Sequence, residues 1–353
     1  VNMNTLTKLK LGLAGLAISL TAAVTANAEK LTLSSSGGQV AQLMQGVFTG
    51  PFTKETGIEV EYLATTDRAS AIKAMVLAGN TIWDVTELNA IEYATASLNG
   101  WLEPLDWAKI DPNNMLPDSA KLGDAGIAAT YSNVLSIRTD KAEGKEMSSW
   151  AEFWDVENFP GPRSLQNQPF DNLEFALQAD GVAKEDLYTV LSTPEGIDRA
   201  FAKLDEIKPH IVVWWTTGAQ PIQMLADGEV HYTSAFNGRL TKMAAEGQPV
   251  KIVWNGGAVK PSYVAVPKGT LNREAADAFL TFMLTSPERA AGFASYAPYP
   301  FFTKGLYDLL PPEKGIVLPT HPDNLEQQFV SNDLWWGAHY ADLNERWQDW
   351  VLE

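Results

Sequence analysis

Cysteine is missing from all 353 residues. Disulfides, thiolate catalysis and cysteine-based zinc sites are therefore excluded. Basic charge is scarce: 26 Lys and Arg stand against 43 Asp and Glu, a formal net charge of −17. A surface of that sign repels phosphate, which argues against nucleic acid as a partner. The four histidines, His210, His231, His321 and His339, show no H-E-x-x-H or other zinc spacing. The sequence has no G-x-S-x-G elbow, P-loop, G-x-G-x-x-G or EF-hand loop. No residue set reads as catalytic, as a metal site or as a cofactor site. Beyond the N-terminal segment no apolar run reaches the ~20 residues of a membrane span. Internal repeats and low-complexity linkers are also missing.

What is present begins with a leader. "MNTLTKLKLGLAGLAISLTAAVTANAEK" carries Lys8 and Lys10, then an apolar run from Leu11 to Leu20, then Ala26-Asn27-Ala28. This is the pattern of a secretory signal with an A-x-A cleavage site over 1–28, Met3 being the expected start. Without cysteine there is no lipobox, so the expected mature chain starts near Glu29, free in the periplasm.

The body alternates. "KLTLSSS" (30–36), "GIEVEYL" (57–63) and "IWDVTEL" (82–88) read as strands, with helical spacing between them at Val40, Leu43, Met44 and Val47 and over 67–80. This rhythm predicts an α/β fold with a mainly parallel sheet. "IAATYSNVLSIRTD" (127–140) is a long β-prone run that breaks the rhythm, and "SYVAVPKG" (262–269) is a second. Between them lies another α/β series, with "IVVWW", "EVHYTSAF" and "VKIVWN" as strands. After the second bridge, "REAADAFLTFMLTSPERAAGFASY" reads as one long helical region, and the tail as helical and rich in tryptophan. Two series joined by two bridges predict two lobes, with a hinge near 133–138 and 262–265.

In the stretch 211–239, "IVVWWTTGAQPIQMLADGEVHYTSAFNGR", two β-prone runs end in polar residues. Polar groups collected where buried strands stop suit a ligand. Thr216, Thr217, Gly218, Ala219 and Gln220 start a helix, where free N–H groups and hydroxyls favour an anion; Ser35, Ser36, Gly37 and Gly38 offer the same at the first helix. Arg239 can form a bidentate fork to a carboxylate. One of Trp214 and Trp215 should face the ligand, not both, because neighbours on a strand point to opposite faces; Trp215 is the candidate. Asn89, just past the strand 82–88, joins the set. The cluster Trp335, Trp336, Trp347 and Trp350 suits helix packing better than a sugar platform, because Trp336, Tyr340, Leu343 and Trp347 recur at helical spacing.

"PFTKETGIEVEY", "WDVTEL", "NGWLEPLD", "FPGPRSL", "LADGEVHYTSAFNGR", "YVAVPKG" and "NDLWWGAHYADLNERWQDW" together resemble a periplasmic solute-binding protein of an ABC importer, nearest its spermidine/putrescine-binding branch. The resemblance covers essentially all of the mature chain. It implies a type II two-lobed fold: lobe one 29–133 plus 264–298, lobe two 134–263 plus 299–353, with a small-molecule solute in the cleft between them. It also implies a membrane permease as partner and a monomer that is not an enzyme.

The polyamine branch carries aromatic-x-Gly-Asp where this chain has Phe236-Asn237-Gly238-Arg239. The ring there stacks on the ligand and the acid takes an ammonium; here the ring is kept and the acid has become a base. A second family aspartate aligns with Ser262, and the family's first aromatics fall at Ser36-Gly37-Gly38. A unit charge pair at about 4 Å is worth about 4 kcal/mol at an effective dielectric near 20. Changing its sign is enough to abolish micromolar binding of a dication. Glu174 aligns with a ligand-binding glutamate of that branch, so Arg239 would take a carboxylate and Glu174 an ammonium. This describes an amino acid such as γ-aminobutyrate, or a simple carboxylate if Glu174 plays no part. The alternatives are a polyamine binder using acids such as Glu87 and Glu174, and a periplasmic enzyme on the same scaffold.

Overall fold

The computed structural model describes residues 30–353, Glu143 excepted. The expected leader 1–28 and mature start at Glu29 lie outside the described residues. Strands β1 (Lys30–Ser35), β2 (Glu59–Ala64), β3 (Val85–Leu88), β4 (Ala125–Arg138), β5 (Arg163–Gln166), β6 (Ile211–Trp215), β7 (Tyr232–Phe236), β8 (Val250–Ala265) and β9 (Phe329–Val330) form one sheet. Its order is β2-β1-β3-β8-β4-β7-β5-β6, with β9 beside β8. The first three strands and the first bridge fall where the sequence predicts them. The segments VKIVWN and SYVAVPKG, expected as separate elements, are one 16-residue strand. Gly256-Gly257 hides their continuity: Gly256 has φ 73°, and a Cβ there would sit 2.7 Å from Trp150 Cδ1.

β1 runs parallel to β2 and β3, and β5 parallel to β6 and β7. β8 is antiparallel to both β3 and β4, and β4 is antiparallel to β7. β3 therefore runs with β4, and β7 against it. The C-terminal ends of the two parallel sets point toward each other across the middle of the β4–β8 pair. In open α/β sheets those ends are where ligands bind.

The buried apolar residues divide the same way. Leu33, Phe52, Ile72, Val85 and Phe279 belong to one core. Leu135, Trp150, Phe175, Phe201, Trp336 and Trp347 belong to another, and Val134, Trp215, Leu225, Ala235 and Leu240 to a third. The last two lie on opposite faces of the second half of the sheet, since Val134 and Leu135 are successive strand residues that part between them. Each fully buried Leu or Phe contributes about 1.5–3 kcal/mol relative to exposure.

Core membership changes between Ala128 and Val134, between Ala258 and Tyr263, and between Leu318 and Phe329. The last change falls beyond the expected boundary at 298/299. Phe301, Leu306, Leu310 and Leu318 return to the first core, because Pro300 O accepts Thr130 N (3.0 Å) and Thr303 Oγ1 donates to Leu284 O (2.7 Å). The β4–β8 ladder shifts register between Ile127 and Thr130 and between Asn133 and Leu135, bracketing the crossing. The expected long helix is two, Arg273–Leu284 and Pro287–Tyr296: Pro287 cannot donate within a helix, and Ser286 Oγ accepts Arg289 N to start the second. In the tail, 297–331 holds a 3-10 turn (Tyr307–Leu309), two four-residue helices (Pro312–Gly315 and Pro322–Leu325) and β9 before the 20-residue helix Asp333–Leu352. Its tryptophans Trp335, Trp336, Trp347 and Trp350 are buried in the second-half core, as their spacing predicts.

Candidate functional site

On the first half, β1 ends in a small polar lattice. Ser34 Oγ and Thr65 Oγ1 lie 2.5 Å apart. Ser35 is buried and its hydroxyl donates to Glu87 Oε2, at the end of β3. Tyr62 Oη donates to Ser36 O at 2.5 Å. The Ser35 hydroxyl is therefore bonded to a carboxylate and is not free for the anion expected at the start of the first helix. Gly38 is its N-cap and no side chain bonds there, while Gly37 stands exposed beside it. Asn89 caps the helix Ala90–Leu98 instead: its Oδ1 accepts Glu92 N at 3.0 Å in a capping box. Glu87 is the half-buried carboxylate of this rim, and neither it nor Tyr62 belonged to the leading set of ligand contacts.

On the second half, β7 ends at Phe236 and β6 at Trp215. Phe236 is half-buried, edge-on to Trp215 (ring centroids 5.6 Å) and to Tyr131 (5.4 Å). Trp215 itself is fully buried, so it backs Phe236 rather than facing a ligand, a correction of the expectation. Trp214 packs on Trp347 and Trp350, so neither indole lines the site. Thr216 and Thr217 are exposed, but their backbone N–H groups donate to Gln220 Oε1 at 2.6 and 3.0 Å. The chain's own glutamine thus satisfies the amides expected to hold an anion; Ala219 N-caps the helix Gln220–Asp227 without a side-chain bond. Gly218 is needed for clearance, since a Cβ there would come 2.8 Å from Phe236 Cδ2 and 3.5 Å from Arg239 Nε.

Arg239 is exposed, and among the described residues it has no ion pair or hydrogen bond. Its helix, Asn237–Ala245, is pinned to the crossing strand by Asn237 Oδ1, which accepts Ser132 N at 2.8 Å. A guanidinium held beside an aromatic ring and left unpaired can take a planar carboxylate. The opposite flank of this helix carries Gly238, Thr241 and Ala245 and borders a cavity of about 730 Å³ with Trp254, Tyr296 and Ile316. That cavity is mostly apolar and excludes Arg239, so it is not the site.

Between the halves, Tyr131 and Asn133 of β4 lie against Lys260 and Ala258 of β8. Ser262 Oγ donates to Ala129 O at 2.9 Å and so serves the crossing strands rather than a ligand. Lys260 Nζ lies 2.7 Å from Asp171 Oδ1, and Asn133 Nδ2 donates to Asp171 Oδ2 at 2.9 Å. Glu174 is fully buried rather than open to a solute, which corrects its expected role as an ammonium partner. Its Oε1 accepts from Trp336 Nε1 (2.6 Å) and Tyr188 Oη (2.9 Å). The sequence reading missed Asp171, Lys260 and Tyr131. The available signal was a lysine inside an apolar bridging strand.

Burial, then the charge of Asp171, pushes the Glu174 carboxyl up to about 7. In the unfolded chain a glutamate ionises near ~4.3. The folded state therefore keeps a proton the unfolded state has lost, and stability falls as pH rises between those values. Glu174→Gln retains the acceptor oxygen, so urea titrations should show equal stability near pH ~4 and a variant more stable by about 1–3 kcal/mol near pH ~8. Parallel pH profiles for the two proteins would refute this.

The chain matches the model of the bacterial extracellular solute-binding protein family over residues 49–317. It is 38% identical over 344 residues to a gamma-aminobutyric acid-binding protein from Pseudomonas aeruginosa, covering 97% of this chain and 96% of that one. An ABC transporter substrate-binding protein from Bradyrhizobium japonicum superposes with a TM-score of 0.78 at 34% identity, over 91% of this chain and 99% of the other. The Atu4243–GABA receptor gives a TM-score of 0.78 at 32% identity, over 92% and 98%. The α/β sheet with its two opposed parallel sets is thus the two-lobed fold of these proteins, and the chain belongs to the bacterial extracellular solute-binding protein family.

Proposed function

We propose that this protein captures a small ω-amino acid, γ-aminobutyrate or a close homologue, between its two halves and delivers it to an ABC permease. The observation that carries the reading is the unpaired Arg239 beside Phe236 on one half, opposed by Glu87 with Ser35 on the other. The solute carboxylate sits on Arg239, its methylenes on Phe236 and its ammonium on Glu87. The gamma-aminobutyric acid-binding relative supports the same solute class. The moving bodies are 30–128 with 263–318 and 134–258 with 329–353, a division supported by core membership. The hinge lies on the crossing stretches of β4 and β8. The leader pattern in the sequence supports a periplasmic protein, acting as a monomer and not as an enzyme.

Thermal unfolding with γ-aminobutyrate, butyrate and putrescine tests this. At 100 times its dissociation constant the amino acid should stabilise the protein by about 2.7 kcal/mol, and small-angle scattering should show compaction. Putrescine as the only stabilising compound would overturn the reading. Butyrate equal to γ-aminobutyrate would remove Glu87 from it.

A further inference from the structure

We propose that Lys260 determines specificity: its ammonium fills, from within the chain, a cage of Asp171, Glu174 and Asp333 on the floor between the halves, denying that cage to a solute's amine. The cage has the chemistry of an alkylammonium site. Lys260 Nζ lies 2.7 Å from Asp171 Oδ1 and 3.2 Å from the centre of the Phe170 ring. A carboxylate on one side and an aromatic face on the other is how proteins hold such cations. Glu174 and Asp333 both feel the charges of Lys260 and Asp171. Each has one oxygen bonded, to Trp336 and Tyr188 and to Tyr263 respectively. The other oxygen of each is buried without a partner. One carboxylate and one ring thus hold the ammonium, and two further buried carboxyls, each with an unpartnered oxygen, feel its charge.

The backbone at the cage is shaped for it. Asp171 adopts φ 69° at the start of the helix Asn172–Ala179, yet its side chain does not cap that helix. A left-handed conformation is costly for a non-glycine residue and persists only when its surroundings hold it. Here the bonds from Lys260 and Asn133 do so. The cage also borders the solute site: Lys260 pairs with Tyr131, whose ring meets Phe236, and Asn133 pairs with Phe236 itself. A tethered ammonium competes at a high effective concentration, so a free amine does not displace it. A diamine would then face two cations, Arg239 and Lys260. An ω-amino acid needs only one acid, and Glu87 supplies it from the other half. The cage is independent of which solute is bound, and its test uses none.

The test compares the full mature chain, Lys260→Ala, and Lys260→Ala with Glu174→Gln, in ethylammonium chloride or in sodium chloride at equal ionic strength. Ethylammonium should raise the melting temperature of both variants saturably, by several degrees beyond sodium, and leave the wild type unmoved. A variant that folds only with ethylammonium present supports the cage equally. Melting curves identical in the two salts, an equal response from the wild type, or failure of both variants to fold in either salt would overturn it.

Discussion

Arg239→Ala should weaken γ-aminobutyrate binding by about 30-fold to several thousand-fold, the usual cost of removing one member of a desolvated, hydrogen-bonded charge pair. The guanidinium is exposed and unpaired in the protein itself, so its loss should leave the melting temperature without solute nearly unchanged. That separation matters, because a residue that merely held the fold would move both quantities. Arg239→Lys should recover only part of the affinity, since an ammonium lacks the planar fork. Arg239→Asp should be worst for the amino acid. Calorimetry on the three variants decides the matter: if Arg239→Ala binds within about threefold of wild type, too little energy is lost for the arginine to be the anchor.

The parts of this site that could be read from the sequence are those that depend on local pattern. The alternating rhythm up to Leu88 and the long β-prone run at 127–140 follow from side-chain periodicity, and they identify the fold. Phe236 and Arg239 could be picked out because a charge stands where a buried strand stops. Pattern failed where a side chain could choose between a ligand and the chain itself. Gln220 takes the amides of Thr216 and Thr217, Ser35 takes Glu87, and Asn89 takes Glu92. Each of these is a polar residue with a nearby partner whose position depends on how the elements pack. Glu174 and Trp215 failed differently: what covers them is brought from far along the chain, Trp336 to Glu174 and Phe236 to Trp215. Lys260 and Asp171 lie 89 residues apart and meet only through the β4–β8 crossing.

Glu92→Ala should lower folding stability by about 3–5 kcal/mol, the cost of leaving a buried cation without its partner. Glu92 is buried and joins three things at once. Its Oε1 accepts Arg68 N at 2.8 Å, and its Oε2 accepts Arg68 Nη2 at 2.8 Å and Asn89 N at 3.0 Å. It therefore closes the capping box of the helix Ala90–Leu98 and clamps the helix Arg68–Ala78 to it. Arg68 Nη1 donates to Thr65 O at 2.8 Å, and Thr65 Oγ1 meets Ser34 Oγ, so the clamp reaches the rim that carries Ser35 and Glu87. Truncation strands the guanidinium in a pocket where its Nε already lacks an acceptor. Glu92→Gln keeps an acceptor for the cap and should recover part of the loss. Arg68→Met with Glu92→Leu removes both charges and should lie near wild type, because a buried pair is expensive to break and cheap to replace. Urea midpoints at a constant slope measure all three. A Glu92→Ala protein within about 1 kcal/mol of wild type would mean that water reaches Arg68 readily, as it does in surface pairs. The first-half rim would then be a mobile loop rather than a preformed wall for the solute's amine.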